Sequence, residues 1–523
     1  MISWIYDQFT MNIMTTAEFD RTTFATAFQL KVAWPLPPEL GTCLLIHGFL
    51  SPQECASLIG RAECRGFVSA NADYPPSYRN NDRQVVDEPA FAKMLLVRMQ
   101  GLAPETIQDS DPSGTATTWR LKSLNERIRW CRYAPGQRFN IHQDGVHHRG
   151  PNCRSRLTFM VYLSGAEAFE GGDTLFYASG PCATGEFGAP PVVARVQPRA
   201  GSLIIFDHGI WHAGDTVTRG SKHILRSDLI YQREGAANAT VQTGPFTPGH
   251  DGYVWTMEKL STGGIASAGR DAIIRLWSPS GAVAGTLADH LQSVLGLSEI
   301  RPGVLASVSR DRSIRLWDLK TLSCTGEIRG HESAVLSIAK LSDGIFATGS
   351  ADSTIVIRDG NGNAFRSLLG HTGWVWALCR VDANTLASAS EDGTVRLWDV
   401  DRGACATTVS GLPPLWTIDM QSGDQSLLAA GDVTGWVRLW AIKGRHLAEI
   451  SSIKAHDAAV RRVRFLSQGR LATCGEDQLL RIWQLADMTL EREGCRPNFV
   501  TDVVELPGEQ ALCSGYEGGL SVV

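Results

Sequence analysis

Residues 385–398 read TLASASEDGTVRLW. An apolar run closes on small residues, Glu391-Asp392-Gly393 turns the chain, and a second β-rich run ends on Trp398. Such a run–turn–run pattern predicts a β-hairpin. The pattern repeats outward in both directions. Segments ending IIRLW, SIRLW, TIVIR, TVRLW, WVRLW and LLRIW close at Trp277, Trp317, Arg358, Trp398, Trp440 and Trp483, spaced by 40, 41, 40, 42 and 43 residues. A seventh unit closes on GGLSVV. A turn aspartate recurs at Asp271, Asp311, Asp352, Asp392 and Asp477, and a histidine precedes it at His250, His290, His331, His371 and His456. One small antiparallel sheet per unit follows.

A repeat of about 40 residues with these marks is the signature of a propeller blade. Residues 240–523 resemble WD repeats, which implies a structural cluster of His, hydroxyl, Asp and Trp in each blade; His371, Ser388, Asp392 and Trp398 match it best. Three units depart from the pattern: Arg358 replaces the Trp, Gly411-Leu412-Pro413-Pro414 replaces Gly-His, and Asn498 stands where His belongs. The last unit runs out of chain before a fourth strand. Residues 239–246 (ATVQTGPF) are expected to supply it and so remove an open sheet edge.

The first half carries a different pattern. Cys131 to Asp144 read CRYAPGQRFNIHQD, followed by SRLTFMVYLSG, GGDTLFY, PRAGSLIIFDHGIWHAG and GSKHILRSDLIYQ. These short runs bounded by Gly and Pro predict strands. SPQECASLIGRAECRG and DEPAFAKMLLVRMQG predict helices before them, which gives an α+β unit on an antiparallel double-sheet core. His142 and Asp144 lie two apart, so on a strand they leave the same face. His212 lies 70 residues beyond His142. Two histidines and a carboxylate that leave open positions are the ligand set of non-haem iron(II) oxygenases. Lys222, ten residues after His212, is placed to pair with a carboxylate, and Arg226 shares its face on a regular strand. His147, His148, His208 and His223 are the competing ligands.

Residues 40–234 resemble the prolyl 4-hydroxylase branch of the 2-oxoglutarate/iron(II) oxygenases through H-x-D, the distal His and Lys at +10. The resemblance implies a double-stranded β-helix (jelly-roll). It implies iron on His142, Asp144 and His212, and 2-oxoglutarate held by Lys222, with Arg226 as the alternative anchor. Tyr133 matches a family tyrosine near the chelating end, and Tyr162 one that bonds the remote carboxylate. Ascorbate is a candidate reductant. YRNNDR (Tyr78–Arg83) resembles a substrate-side loop. Asp144 speaks against halogenation, because halogenating relatives lose that carboxylate.

Length and composition agree with a soluble chain of two or three domains. The protein has 523 residues, 43% apolar and 20% charged, with a formal net charge of -5. Such a length exceeds one ordinary core. No polybasic surface implies nucleic acid, and no apolar run is long enough for a membrane helix. The twelve cysteines, scattered without C-x-x-C, predict buried thiols rather than disulfides, hence a cytoplasmic compartment.

The expected organisation is therefore multidomain. Residues 1–38 form a poorly ordered lead-in, with Met11 and Met14 as alternative starts. Residues 39–234 form the α+β jelly-roll oxygenase. Residues 239–523 form an all-β seven-bladed propeller. The expected activity is a dioxygenase that hydroxylates a protein or peptide side chain, proline among them, with the propeller recruiting the partner. Hydroxylation of a free small molecule, or a scaffold with an inactive oxygenase half, are the rivals.

Overall fold

The computed structural model describes residues 30–522, apart from short stretches at 73–74, 76–78, 111–115, 148–152, 179–189 and 235–245 and a few isolated positions in the second half. The expected lead-in falls outside the described residues up to residue 29. Lys31–Ala33, which the sequence assigns to that lead-in, instead adds an edge strand against Leu45–His47. The expected linker at 234–239, save Glu234 after the last oxygenase strand, and residues 239–245 of the expected closing strand 239–246 also lie outside the described residues; Phe246 is described and donates its N–H to Gly281 O.

The first half is built on two main sheets, with a separate two-stranded sheet of Phe169–Gly171 and Val217–Gly220. A ten-stranded sheet runs through the strands Cys43–His47, Leu203–Asp207, Cys153–Tyr162, Lys222–Arg233, Arg127–Tyr133 and Asp82–Asp87. A four-stranded sheet carries Val192–Val196, Thr174–Tyr177, Trp211–Gly214 and Phe139–His142 in that order. Alternation along the central strands sends side chains to two separate cores. On one face Phe159, Val161, Leu225 and Leu229 pack against the helices Pro52–Arg65 and Pro89–Met99 through Cys55, Ala62, Leu95 and Met99. On the other, Met160, Tyr162 and Ile224 meet Phe139 and Phe176 of the smaller sheet. The metal candidates lie on this second side.

The helix Pro52–Arg65 starts where the sequence dictates. Pro52 takes the first position, where its missing N–H costs nothing. Ser51 and Glu54 exchange reciprocal backbone hydrogen bonds in a capping box.

The second half is seven consecutive antiparallel sheets, six of four strands and, among the described residues, one of three. The innermost strand of each packs on that of the next, and the strand Val500–Glu505 of the last packs on Val254–Lys259 of the first. The circle is stitched by the Met257 N–H, which donates to Asp502 at 2.8 Å. The WD-type repeats thus form a C-terminal propeller.

The repeating histidines are structural. His371 Nδ1 meets Asp392 at 2.8 Å and its Nε2 meets Ser388 Oγ at 2.7 Å, while Trp398 donates to the same Oγ at 2.8 Å. The same cluster recurs at His250, His290 and His456. In the third unit His331 keeps Asp352 and Thr348, but Arg358 replaces the ring and donates to Gly362 O. In the fifth unit, which lacks the histidine, Arg438 pairs with the turn carboxylate of Asp432 at 2.6 Å.

Because one hydroxyl joins His371 to Trp398, Ser388→Ala strands both. Each stranded buried group costs about 1–3 kcal/mol, so for two of them the propeller should lose about 2–6 kcal/mol. Denaturant unfolding should show it as a lower midpoint at unchanged slope.

Candidate metal centre and the cavity beside it

Strand register brings the two histidines together. Trp211–Gly214 runs antiparallel to Phe139–His142, with His212 directly opposite His142. Asp144 follows just beyond the strand end, held there by its N–H to His208 O at 3.0 Å. His142, Asp144 and His212 are buried and offer ligand atoms that all lie within 4.8 Å of one another. The Nε2 atoms stand 3.7 Å (His142) and 3.6 Å (His212) from the Asp144 carboxylate.

The protonation states suit a cation. His142 Nδ1 lies 2.7 Å from Asn140 O, and His212 Nδ1 2.9 Å from Ile210 O. A carbonyl only accepts, so each Nδ1 carries the proton and each Nε2 presents a lone pair inward. Burial, and for His142 next the neighbouring His212, lowers both imidazoles below their ordinary range, so they are neutral near pH 7. Burial alone would raise the Asp144 carboxyl. Arg226, His212 and His142 together outweigh it, Arg226 most, and hold the group well below the usual carboxylate range. Two neutral imidazoles and an anion around one point fit a divalent metal.

Asp144 is held from two further sides. Arg226 donates to Oδ1. Thr158 donates its hydroxyl to Oδ2 at 2.6 Å, and His208 backs Thr158 at 3.0 Å and Ser155 at 2.8 Å. His208 is therefore a support behind the carboxylate. His223 faces the helical side and meets Glu63 at 2.8 Å. The His147 backbone N–H bonds Ser155 Oγ at 2.7 Å, and His148 lies outside the described residues.

Lys222 sits deeper on the same strand as Arg226. Its Nζ donates to Gly172 O at 2.5 Å and lies 5.4 Å and 5.8 Å from the ring centres of Tyr133 and Tyr162. The Tyr162 hydroxyl meets Thr174 at 2.7 Å, and Arg79 hydrogen-bonds the Tyr133 hydroxyl. Burial, only partly offset by Asp173, pushes the Lys222 ammonium down to about 8. Arg226, the alternative anchor, lies at the metal end beside Asp144.

A testable pH dependence follows from Lys222. The ordinary lysine value is 10.5. Between about 8 and 10.5 the unfolded chain holds more of this proton than the folded one, so stability rises with pH through that window. An anion bound beside Lys222 restores the proton. Affinity for such a ligand should fall as pH climbs past 8, with isothermal titration calorimetry showing proton uptake on binding.

The metal site opens into a cavity of about 440 Å³ that both halves line. Arg79, Arg83 and Phe139 come from the first half. Arg79 and Arg83 belong to the YRNNDR stretch, of which Tyr78 lies outside the described residues. The sequence singled out Asn498 as a departure from the repeat, and its side chain donates to Val146 O at 3.2 Å, two residues from Asp144. The support of Asp144 by Thr158 and His208, and the sharing of the cavity, were not read from the sequence. The first needs contacts across sheets. The second leaves one signal, apolar or aromatic residues at equivalent places in successive repeats.

Residues 128–227 match the 2OG-Fe(II) oxygenase superfamily. Residues 281–318, 322–359, 362–399 and 447–484 match the WD domain, G-beta repeat. Among curated proteins the chain is similar to the human serine-threonine kinase receptor-associated protein, 27% identical over 140 residues, 26% of this chain and 39% of that protein. It is also similar to THO complex subunit 6 of Arabidopsis thaliana, 26% identical over 168 residues, 31% of this chain and 44% of that protein. The chain thus spans less than half the length of these relatives.

Proposed function

From a chain that carries a 2OG-Fe(II) oxygenase domain ahead of WD repeats, we propose an iron(II)- and 2-oxoglutarate-dependent dioxygenase that hydroxylates a protein or peptide side chain. The observation that carries this reading is the buried His142–Asp144–His212 cluster with both Nε2 lone pairs turned inward. In it the oxygenase core is a jelly-roll, the propeller has seven blades, and the substrate is of the prolyl 4-hydroxylase class, in the cytoplasm, with ascorbate as an auxiliary reductant.

When bound, iron and 2-oxoglutarate supply the oxidising chemistry: one oxygen atom enters succinate as carbon dioxide leaves, and the other enters a C–H bond of the substrate. The chain's residues do the rest. His142, Asp144 and His212 hold the metal. Arg226 and the Thr158 hydroxyl fix Asp144 as an oriented anion. Lys222 binds the remote carboxylate of the cosubstrate, with Tyr162 beside it and Tyr133 toward the metal. The apolar wall of Phe176, Met160 and Ile224 keeps water from that pocket. The propeller holds the partner.

The test is succinate release from 2-oxoglutarate by the iron-loaded protein, followed by mass spectrometry of partner proteins for a 16 Da gain. No release under air, with metal and cosubstrate both shown to be bound, overturns the reading in favour of a scaffold.

A further inference from the structure

Seven inner strands begin at Val254, Val294, Val335, Val375, Leu415, Val460 and Val500. The second residue of each is Trp255, Leu295, Leu336, Trp376, Trp416, Arg461 and Thr501, and all seven line the cavity that contains His142 and Asp144. Equivalent places in a ring of repeats project the same way. One end of the propeller therefore faces the metal centre as a wall. Asn498 locks the two halves together beside that wall.

The wall has a definite chemistry. Trp376 and Trp416 pack at 5.7 Å between centroids and both donate to Glu391, at 2.7 Å and 3.2 Å. The carboxylate fixes the indole edges. Arg461 lies 4.3 Å from the Trp416 ring and pairs with Glu476. Among the described residues, the cavity lining around these rings holds ten arginine or lysine side chains against five carboxylates. Asp502 and Asp343, outside the lining, offset part of that surplus. Arg310 and Arg380 line the propeller side, Arg79 and Arg83 the other. A cavity of this volume is in the range that encloses a small ligand or a few residues of a larger one. Indole faces take planar apolar groups, and guanidinium groups take anions.

We propose that the propeller forms half of the substrate site. The part of the substrate that enters the cavity is anionic with a planar apolar body, which lies on Trp376 and Trp416 while its reacting carbon reaches the metal. This rests on the oxygenase reading of the metal centre and makes the repeats determinants of specificity as well as a recruiting surface.

The full-length protein loaded with manganese(II) tests it with two probes. One is 8-anilinonaphthalene-1-sulfonate, planar and anionic; the other is N-phenyl-1-naphthylamine, its uncharged counterpart. The double variant Trp376→Ala/Trp416→Ala should weaken the sulfonate probe at least tenfold. Arg380→Gln alters an exposed side chain. It should weaken the sulfonate probe severalfold, in a salt-dependent way, and leave the neutral probe unchanged. Arg83→Gln, on the other half, should weaken the sulfonate probe as well. Proton relaxation of the bound sulfonate probe should be enhanced by manganese in the wild-type protein and not in His212→Ala.

Unchanged affinity in the double tryptophan variant, with its melting temperature retained, overturns the proposal. So does the absence of paramagnetic relaxation while electron spin resonance shows manganese bound. Equal response of both probes to Arg380→Gln overturns its anionic part. If manganese does not bind at all, the metal reading has failed. The affinity losses on both faces then still decide whether the cavity is shared.

Discussion

Replacing His212 by alanine is expected to take metal content and turnover to background while leaving a folded protein. Partners that merely support metal ligands are worth about 10–100-fold, and removal of one of three ligands exceeds that. The fold should survive, because the strand Trp211–Gly214 is paired on both sides, to Thr174–Tyr177 and to Phe139–His142. Thr158→Val makes the internal comparison. It removes only the hydroxyl on Asp144 and should fall in the 10–100-fold range for metal affinity. Elemental analysis of both proteins with a thermal melt decides the matter. Full metal occupancy in His212→Ala would refute the ligand assignment.

Lys222→Met should raise the 2-oxoglutarate requirement about ten- to hundredfold with little effect on metal content. A hydrogen bond to a charged group is worth about 1.5–3 kcal/mol, and every 1.4 kcal/mol is about tenfold. The same change should leave thermal stability equal or higher. Lys222 is a buried cation whose described partner is a carbonyl oxygen, with no carboxylate in bonding reach among the described contacts. A buried cation without a counter-ion is costly, so a thioether of similar length relieves the folded state. Better stability with worse cosubstrate binding would mark a group kept for function. Arg226→Met should behave differently, losing metal through Asp144. If Arg226→Met alone raised the cosubstrate requirement, the anchor would be Arg226.

What could be read in the sequence and what could not divide along physical lines. The repeats were legible because each blade is local: the His371–Ser388–Asp392–Trp398 cluster spans fewer than 30 residues and recurs. H-x-D was legible because strand alternation places its two side chains together. The opposition of His142 and His212 was legible only as a ligand set, since their register depends on pairing across 70 residues. Arg226 shows the limit. Its spacing from Lys222 correctly places both on one face, but spacing says nothing of depth, and four residues along the strand carry it from the neighbourhood of Gly172 to that of Asp144. The edge strand Lys31–Ala33 was missed because its side chains are exposed, so it shows no apolar pattern. The facing of the propeller onto the metal site was beyond sequence reasoning, because rigid-body docking leaves its mark only in scattered residues such as Asn498 and Val146.

The closure of the ring has a consequence for how the protein is made. Each sheet forms from neighbouring segments and can fold as it emerges, because such contacts are close along the chain. The seam between the first and last sheets is different. Met257 meets Asp502 across 245 residues. Until Val500–Glu505 has left the ribosome the circle is open, Phe499 and Thr501 are missing from the cavity, and Asn498 cannot reach Val146. The oxygenase half is synthesised first, yet the cavity beside His142 and Asp144 is completed last. A stalled or prematurely terminated chain would hold His142, Asp144 and His212 without the propeller residues that line the cavity beside them.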